Sequence, residues 1–106
     1  MNQRIAIIGQ ASLINAFKLF NIETFPINSR ADGQAAIKKI SQENFVIVFV
    51  TEEWAEKLDE DLIELKEKTI PAVISLPTHL SQNDYGIKEL KKTVERAVGS
   101  DILFKN

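Results

Sequence analysis

Phe45-Val46-Ile47-Val48-Phe49-Val50 runs without a polar residue straight into Thr51-Glu52-Glu53. Six β-branched or aromatic residues with no polar alternation suit a strand covered on both faces, as in the middle of a parallel sheet flanked by helices. In such sheets ligands and catalytic groups gather beyond the carboxyl ends of the strands. Here that end reads as a helix start, with Thr51 as N-cap and Glu52 and Glu53 in the first turn, where the helix dipole favours negative charge. No aspartate stands there to accept a phosphate and no glycine run cradles one, so the junction points to a binding part rather than a catalyst.

Outward from this strand, helix and strand patterns alternate in both directions. Upstream, Asp32-Gly33 opens a helix with Ala36, Ile37 and Ile40 inward and Lys38, Lys39 and Gln42 outward. Before it, Thr24-Phe25-Pro26-Ile27 reads as a strand, but Pro26 cannot donate to a ladder and places it at a sheet edge. The first strand is Ile5-Ala6-Ile7-Ile8, closed by Gly9, and Ser12 caps a helix with the stripe Leu13, Ala16, Phe17 and Phe20. Downstream, Trp54, Leu58, Leu62 and Leu65 mark one helical face, with Asp59-Glu60-Asp61 as a candidate break. Pro71-Ala72-Val73-Ile74-Ser75-Leu76 is the fourth strand, its proline at the tolerated first position. A polar loop from Pro77 to Gly86 leads to the stripe Ile87, Leu90, Val94, Ala97 and Val98, which ends at Gly99, a residue suited to a left-handed C-cap.

This pattern predicts an α/β fold: one Rossmann-like or receiver-like open parallel sheet of four strands with helices on both faces. Right-handed crossovers give the order 2-1-3-4, with the first and last helices on one face and the middle two on the other. The order reverses between the first and third strands, so Gly9, Gln10, Ala11, Ser12, Thr51 and Glu52 rim the crevice where a ligand is expected. With 106 residues the chain suits a single α/β domain, 1–99, followed by a short C-terminal tail, 100–106.

Composition narrows the function classes. Thirteen basic residues against 15 acidic ones, scattered rather than striped, argue against nucleic acid as a partner. The absence of cysteine excludes disulfides, thiolate metal sites and cysteine nucleophiles. The longest apolar run falls far short of the about 20 residues that span a bilayer, so no direct membrane insertion is expected and the chain reads as cytoplasmic.

The individual candidates for chemistry are weak. A phosphorylated receiver needs paired acids after the first strand and an aspartate ending the third; Gln10 and Thr51 stand there instead. Gly9 is a tight turn and not a nucleotide fingerprint, and Ser12 has no base placed beside it. His79 has no companion at metal-ligand spacing. The carboxylates from Glu52 to Glu67 alternate with Lys57, Lys66 and Lys68 as on a solvated helical face, and Trp54 falls in the core stripe. No catalytic residue, cofactor or metal is expected. The tail differs: Ile102-Leu103-Phe104 either adds to the sheet edge or seeks a partner, which makes these three residues candidate anchors. The rim around Gln10 and Glu52 is the other candidate partner surface.

Four segments carry a likeness to a known family: Arg4-Ile5-Ala6-Ile7-Ile8-Gly9, Val48-Phe49-Val50-Thr51-Glu52-Glu53-Trp54-Ala55-Glu56, Pro71-Ala72-Val73-Ile74-Ser75-Leu76-Pro77 and Arg96-Ala97-Val98-Gly99. They resemble the F subunit of the V-type and A-type rotary ATPases over nearly the whole chain. Thr51-Glu52-Glu53, an apolar residue and Ala55-Glu56 form the most specific part. The Ile-Pro-Ser type motif of many relatives is Leu76-Pro77-Thr78 here, and Gln10 stands where many carry an acid. The resemblance implies a non-catalytic central-stalk (rotor) component that binds the coiled-coil central shaft, the D subunit, and contacts the catalytic head and the membrane-rotor connector. It would lie peripheral to the membrane and contribute to ATP-coupled transport of sodium ions or protons. The alternative from the residues alone is a degenerate receiver-like or small-ligand regulatory domain, distinguished by saturable binding of a phosphate analogue or nucleotide at the rim.

Overall fold

A computed structural model of the chain describes residues 4–77 and, beyond them, positions 88, 89, 92, 93 and 96, which are helical. The loop with His79, the apolar stripe of the last helix and the tail anchors Ile102, Leu103 and Phe104 lie outside the described residues.

The elements are β1 (Arg4–Gly9), α1 (Ala11–Ile14) continued by a 3-10 helix (Asn15–Phe20), β2 (Glu23–Pro26), α2 (Arg30–Ser41), β3 (Phe45–Thr51), α3 (Glu52–Lys57), α4 (Asp59–Glu67) and β4 (Ala72–Leu76). The four strands form one sheet in the order β2-β1-β3-β4, and every pair is parallel. The expected architecture is what folds, with β2 at an edge and Pro26 as its last residue, opposite Gly9.

Each face has its own core. On one, Ala36, Ile37 and Ile40 of α2, Trp54 of α3, Leu58, and Leu62 and Leu65 of α4 pack on Ala6, Ile8, Val48 and Val50. On the other, Ile14 and Phe17 pack on Ile5, Ile7, Phe49 and Leu76. Thus the first helix and the two middle ones take opposite faces, as right-handed crossovers require. A register shift between Arg4 and Ile5, which face Phe45 and Ile47, leaves Val46 as an extra residue. Phe45 joins the α2 core while Val46 and Ile47 pack on the other side.

Several local boundaries differ from the sequence expectation. The first helix begins at Ala11 with Gln10 as N-cap, so Ser12 lies inside the first turn and caps nothing. From Asn15 the chain tightens to 3-10 geometry, in which residues three apart align. Ile14 and Phe17 are buried and Phe20 half-buried in that register, and Asn21, in the left-handed region at φ 60°, ends the turn. Helix α2 begins before Asp32-Gly33: Ser29 is the N-cap, its Oγ accepting from the Asp32 backbone N–H at 3.1 Å. The Asp32 carboxylate accepts from the Asn28 backbone N–H at 3.0 Å. The acidic triplet does mark a break, because Leu58 leaves helical geometry between α3 and α4.

At the amino edge of the sheet, Arg4 gathers three elements. Its guanidinium forms two 2.7 Å bonds to the Glu23 carboxylate of β2 and one of 2.7 Å to Glu43 in the turn before β3. It also lies 4.3 Å from the centre of the Phe45 ring. The hydrogen bonds from Arg4 hold the Glu23 carboxyl below its ordinary range, against the opposing effect of burial.

Candidate functional site

The rim is built where β1 and β3 end side by side. Ile8 pairs with Val50, which brings Gly9 against Thr51. A Cβ on Gly9 would lie 2.6 Å from Thr51 Cγ2 and 3.0 Å from both Thr51 Oγ1 and Ile14 Cγ2. Glycine is required here by close approach, and the strand ends meet with no space between them. Thr51 is only 5% exposed, and its hydroxyl has no hydrogen-bond partner among the described residues. It stands at the N-cap of α3 as expected but makes no side-chain cap bond, so its extended backbone and not its hydroxyl starts the helix.

On the surface of this seam, Gln10 is exposed, and its carbonyl accepts from the backbone N–H groups of Leu13 at 2.9 Å and Ile14 at 3.1 Å. Glu52 is exposed as the first residue of α3. The fold therefore brings Gln10 and Glu52 to the same edge of the sheet, following adjacent strands. Glu53, next in line, is tied to Lys57 one turn on at 3.3 Å.

Beside the rim, toward β2, lies an open cleft of about 400 Å³ lined by Gln10, Ala11, Ser12, Pro26, Ile27, Asn28 and Asp32. Its one carboxylate, Asp32, follows β2 and already accepts a backbone hydrogen bond. A paired-acid cation site needs a second acid after β1, and Gln10 occupies that place. Among the described residues no group of three or more His, Cys, Asp or Glu side chains could hold a metal ion.

The carboxylates of α3 and α4 are mostly solvated and serve the packing of helices. Asp61 accepts from Gln34 at 3.1 Å and from Arg30 at 3.1 Å, which joins α4 to α2. The Gln34 hydrogen bond, with that from Arg30, holds the Asp61 carboxyl below its ordinary range. Trp54 is buried in the core, and the Lys57 ammonium lies 4.8 Å from its ring centre. Sequence reasoning passes over Leu19, Ile63 and Ile70, the exposed large apolar residues among those described. Leu19 falls off the 3-10 stripe, and Ile70 lies between a helix end and a strand, where periodicity carries no signal. Among the described residues no helix is long and apolar enough to cross a membrane.

The sequence model of the ATP synthase (F/14-kDa) subunit family matches residues 5–94. The V-type ATP synthase F subunit of Fusobacterium nucleatum is 33% identical over 100 residues, which cover 94% of this chain and 95% of that protein. The protein of the same name from Clostridium botulinum is 29% identical over 103 residues, 97% of this chain and all of that one. The A-type ATP synthase F subunit of Methanothermobacter thermautotrophicus is 21% identical over 105 residues, 97% of this chain and 99% of its own length. The match takes in all four strands and the rim between them, and by it the chain belongs to the ATP synthase (F/14-kDa) subunit family.

Proposed function

We propose that the chain is a non-catalytic central-stalk component of a V/A-type rotary ATPase, which binds the coiled-coil central shaft, the D subunit, and turns with it. The observation that carries this reading is the end-to-end correspondence with proteins named as the F subunit, 33% identical across 94% of the chain. The rim is consistent with it: the strand ends are packed shut at Gly9 and Thr51, and the exposed residues there, Gln10, Ser12 and Glu52, supply polar contacts without an activated nucleophile. Two separate cores, one on each side of a parallel sheet, make the small body stiff enough to ride on a shaft without shearing. The protein lies peripheral to the membrane and serves ATP-coupled cation transport through its partners.

The shaft surface comprises the last helix, the loop before it and the tail, with Ile102, Leu103 and Phe104 as apolar anchors; an elongated coiled coil suits a helix followed by an extended segment. Co-purification with the coiled-coil shaft protein of the same ATPase, followed by calorimetric titration, tests this. Truncation after Gly99 is expected to leave the sheet folded and to weaken binding by roughly thirtyfold, about 2 kcal/mol, for each buried anchor lost. Undiminished binding moves the interface to the rim around Gln10 and Glu52. Saturable binding of a nucleotide or a phosphate analogue by the isolated chain contradicts the stalk reading and favours a ligand-regulated domain.

A further inference from the structure

The sheet ends at β4, whose outer edge no strand among the described residues occupies. That strand, Ala72-Val73-Ile74-Ser75-Leu76, carries no charge, is at least partly exposed as far as Ser75, and has its prolines, Pro71 and Pro77, just outside it. An uncharged edge of this kind offers its backbone N–H and C=O groups to another strand. Helix α4 overlooks the same edge. It packs on β4 and beside α2, and toward α2 it presents Asp61, Glu64 and Leu65, which line a groove with Gln34 and Ile37. At about 100° per residue the opposite flank of α4 carries Asp59, Ile63 and Lys66. Lys66 reaches back two turns to Asp59 at 3.5 Å, so the two share that flank. Ile63, between them, is 47% exposed.

We propose that the β4 edge and this flank of α4 form a two-fold interface with a second copy of the chain, in which the two β4 strands pair antiparallel and the two sheets become one. The surface is its own complement. Helix α4 runs antiparallel to β4, as a crossover between parallel strands requires, so the acidic end of its flank lies level with the end of β4 and the basic end with its start. The helix is about 14 Å long and the strand about 17 Å, with Ile63 and Ile74 as their middle residues. A two-fold axis normal to the sheet at the middle of β4 therefore keeps both α4 helices on one face, sets Ile63 against its own copy, and lays Asp59 of each helix opposite Lys66 of the other. Acid meets base at both ends, and apolar meets apolar at the centre. The 3.5 Å ion pair within each chain can exchange for two across the interface, with no charge left over. Because both copies use the same edge, the pairing closes at two. Burial of Ile63 against Ile63 drives it hydrophobically.

Sedimentation equilibrium on the full-length chain, over a concentration series, should show a mass that rises from one chain to two and no further. The absence of cysteine permits a sharper test. Ile63→Cys places a single thiol beside the axis, and mild oxidation should link it to its own copy at least about tenfold faster than it links Leu19→Cys, an 84% exposed position on the opposite face of the sheet. Asp59→Lys and Lys66→Asp should each weaken pairing at least about tenfold by setting like charges together, and mixing the two variants should restore it as a hetero-pair. Loss of the ion pair within each chain is not repaired by mixing, so recovery reads the contact between copies. All the altered positions are exposed, and circular dichroism verifies that each variant is folded. A single-chain mass up to about 1 mM overturns the inference. So do equal cross-linking rates at the two thiols, and so does failure of the mixed variants to pair. None of these results bears on shaft binding, which rests on other residues, so failure here and failure of the stalk reading are separable.

Discussion

Gly9 and Thr51 share one seam and respond oppositely to substitution. Gly9→Ala pushes a methyl to 2.6 Å from Thr51 Cγ2, on a β-branched side chain with little freedom to turn aside, and Ile14 blocks retreat at 3.0 Å. Overpacking of this kind costs about 1–3 kcal/mol, expected as a lower urea midpoint with unchanged slope. Thr51→Val keeps the shape and removes a buried hydroxyl that bonds to none of the described residues. Because that hydroxyl makes no cap bond either, the variant should be more stable, by about 1 kcal/mol, and the same denaturation experiment reads the sign. A drop would mean that Thr51 caps α3 in solution. The glutamine at position 10 tolerates change, since only its carbonyl bonds locally.

At the scale of elements, α2 depends on its first turn. Ser29→Ala removes the bond to the Asp32 N–H and should cost about 1 kcal/mol, read as a lower melting temperature with native helical signal below it. The same helix shows what is legible in the sequence. Its inward residues Ala36, Ile37 and Ile40 follow from periodicity, but its start does not. Ser29 followed three residues later by an acid is a capping signal, and the Asp32-Gly33 pair resembles a turn strongly enough to hide it. In the first helix a stripe drawn at 3.6 residues per turn misses Ile14. The real spacing of three, Ile14, Phe17 and Phe20, belongs to a 3-10 turn. Local pattern places β2 at Thr24 to Ile27, yet the strand lies one residue earlier, paired from Ala6–Glu23 to Gly9–Pro26, a long-range register no local pattern reveals. The apolar β3 and the break at Leu58 are plain from hydrophobic run and charge. Of the rim, residue placement is legible and its closure is not, since the Gly9 to Thr51 contact depends on register.

For the whole molecule, the ion pairs set the acid response. The folded chain holds the carboxyls of Glu23 and Asp61 below their ordinary values of 4.5 and 3.8. A depressed folded pKa contributes stability that is present above the ordinary value and lost as pH falls through the folded one. Stability should therefore be level near neutrality and decline below about pH 4.5, with screening by water and salt keeping the decline shallow. Thermal melts between pH 6 and pH 3 check this. Arg4→Met should flatten the part of the slope that Glu23 contributes, whereas an unchanged slope would assign the acid response to other carboxylates.

The edge position of β2 has a consequence for the chain among its own copies. An open strand edge is a template on which a neighbour's backbone can add, the first step toward ordered aggregates. Here that edge is only four residues long, begins with a charged Glu23 and ends with Pro26, which offers no N–H to an incoming strand. The pair that makes β2 a modest strand thus disfavours the addition of a neighbour's backbone at this edge.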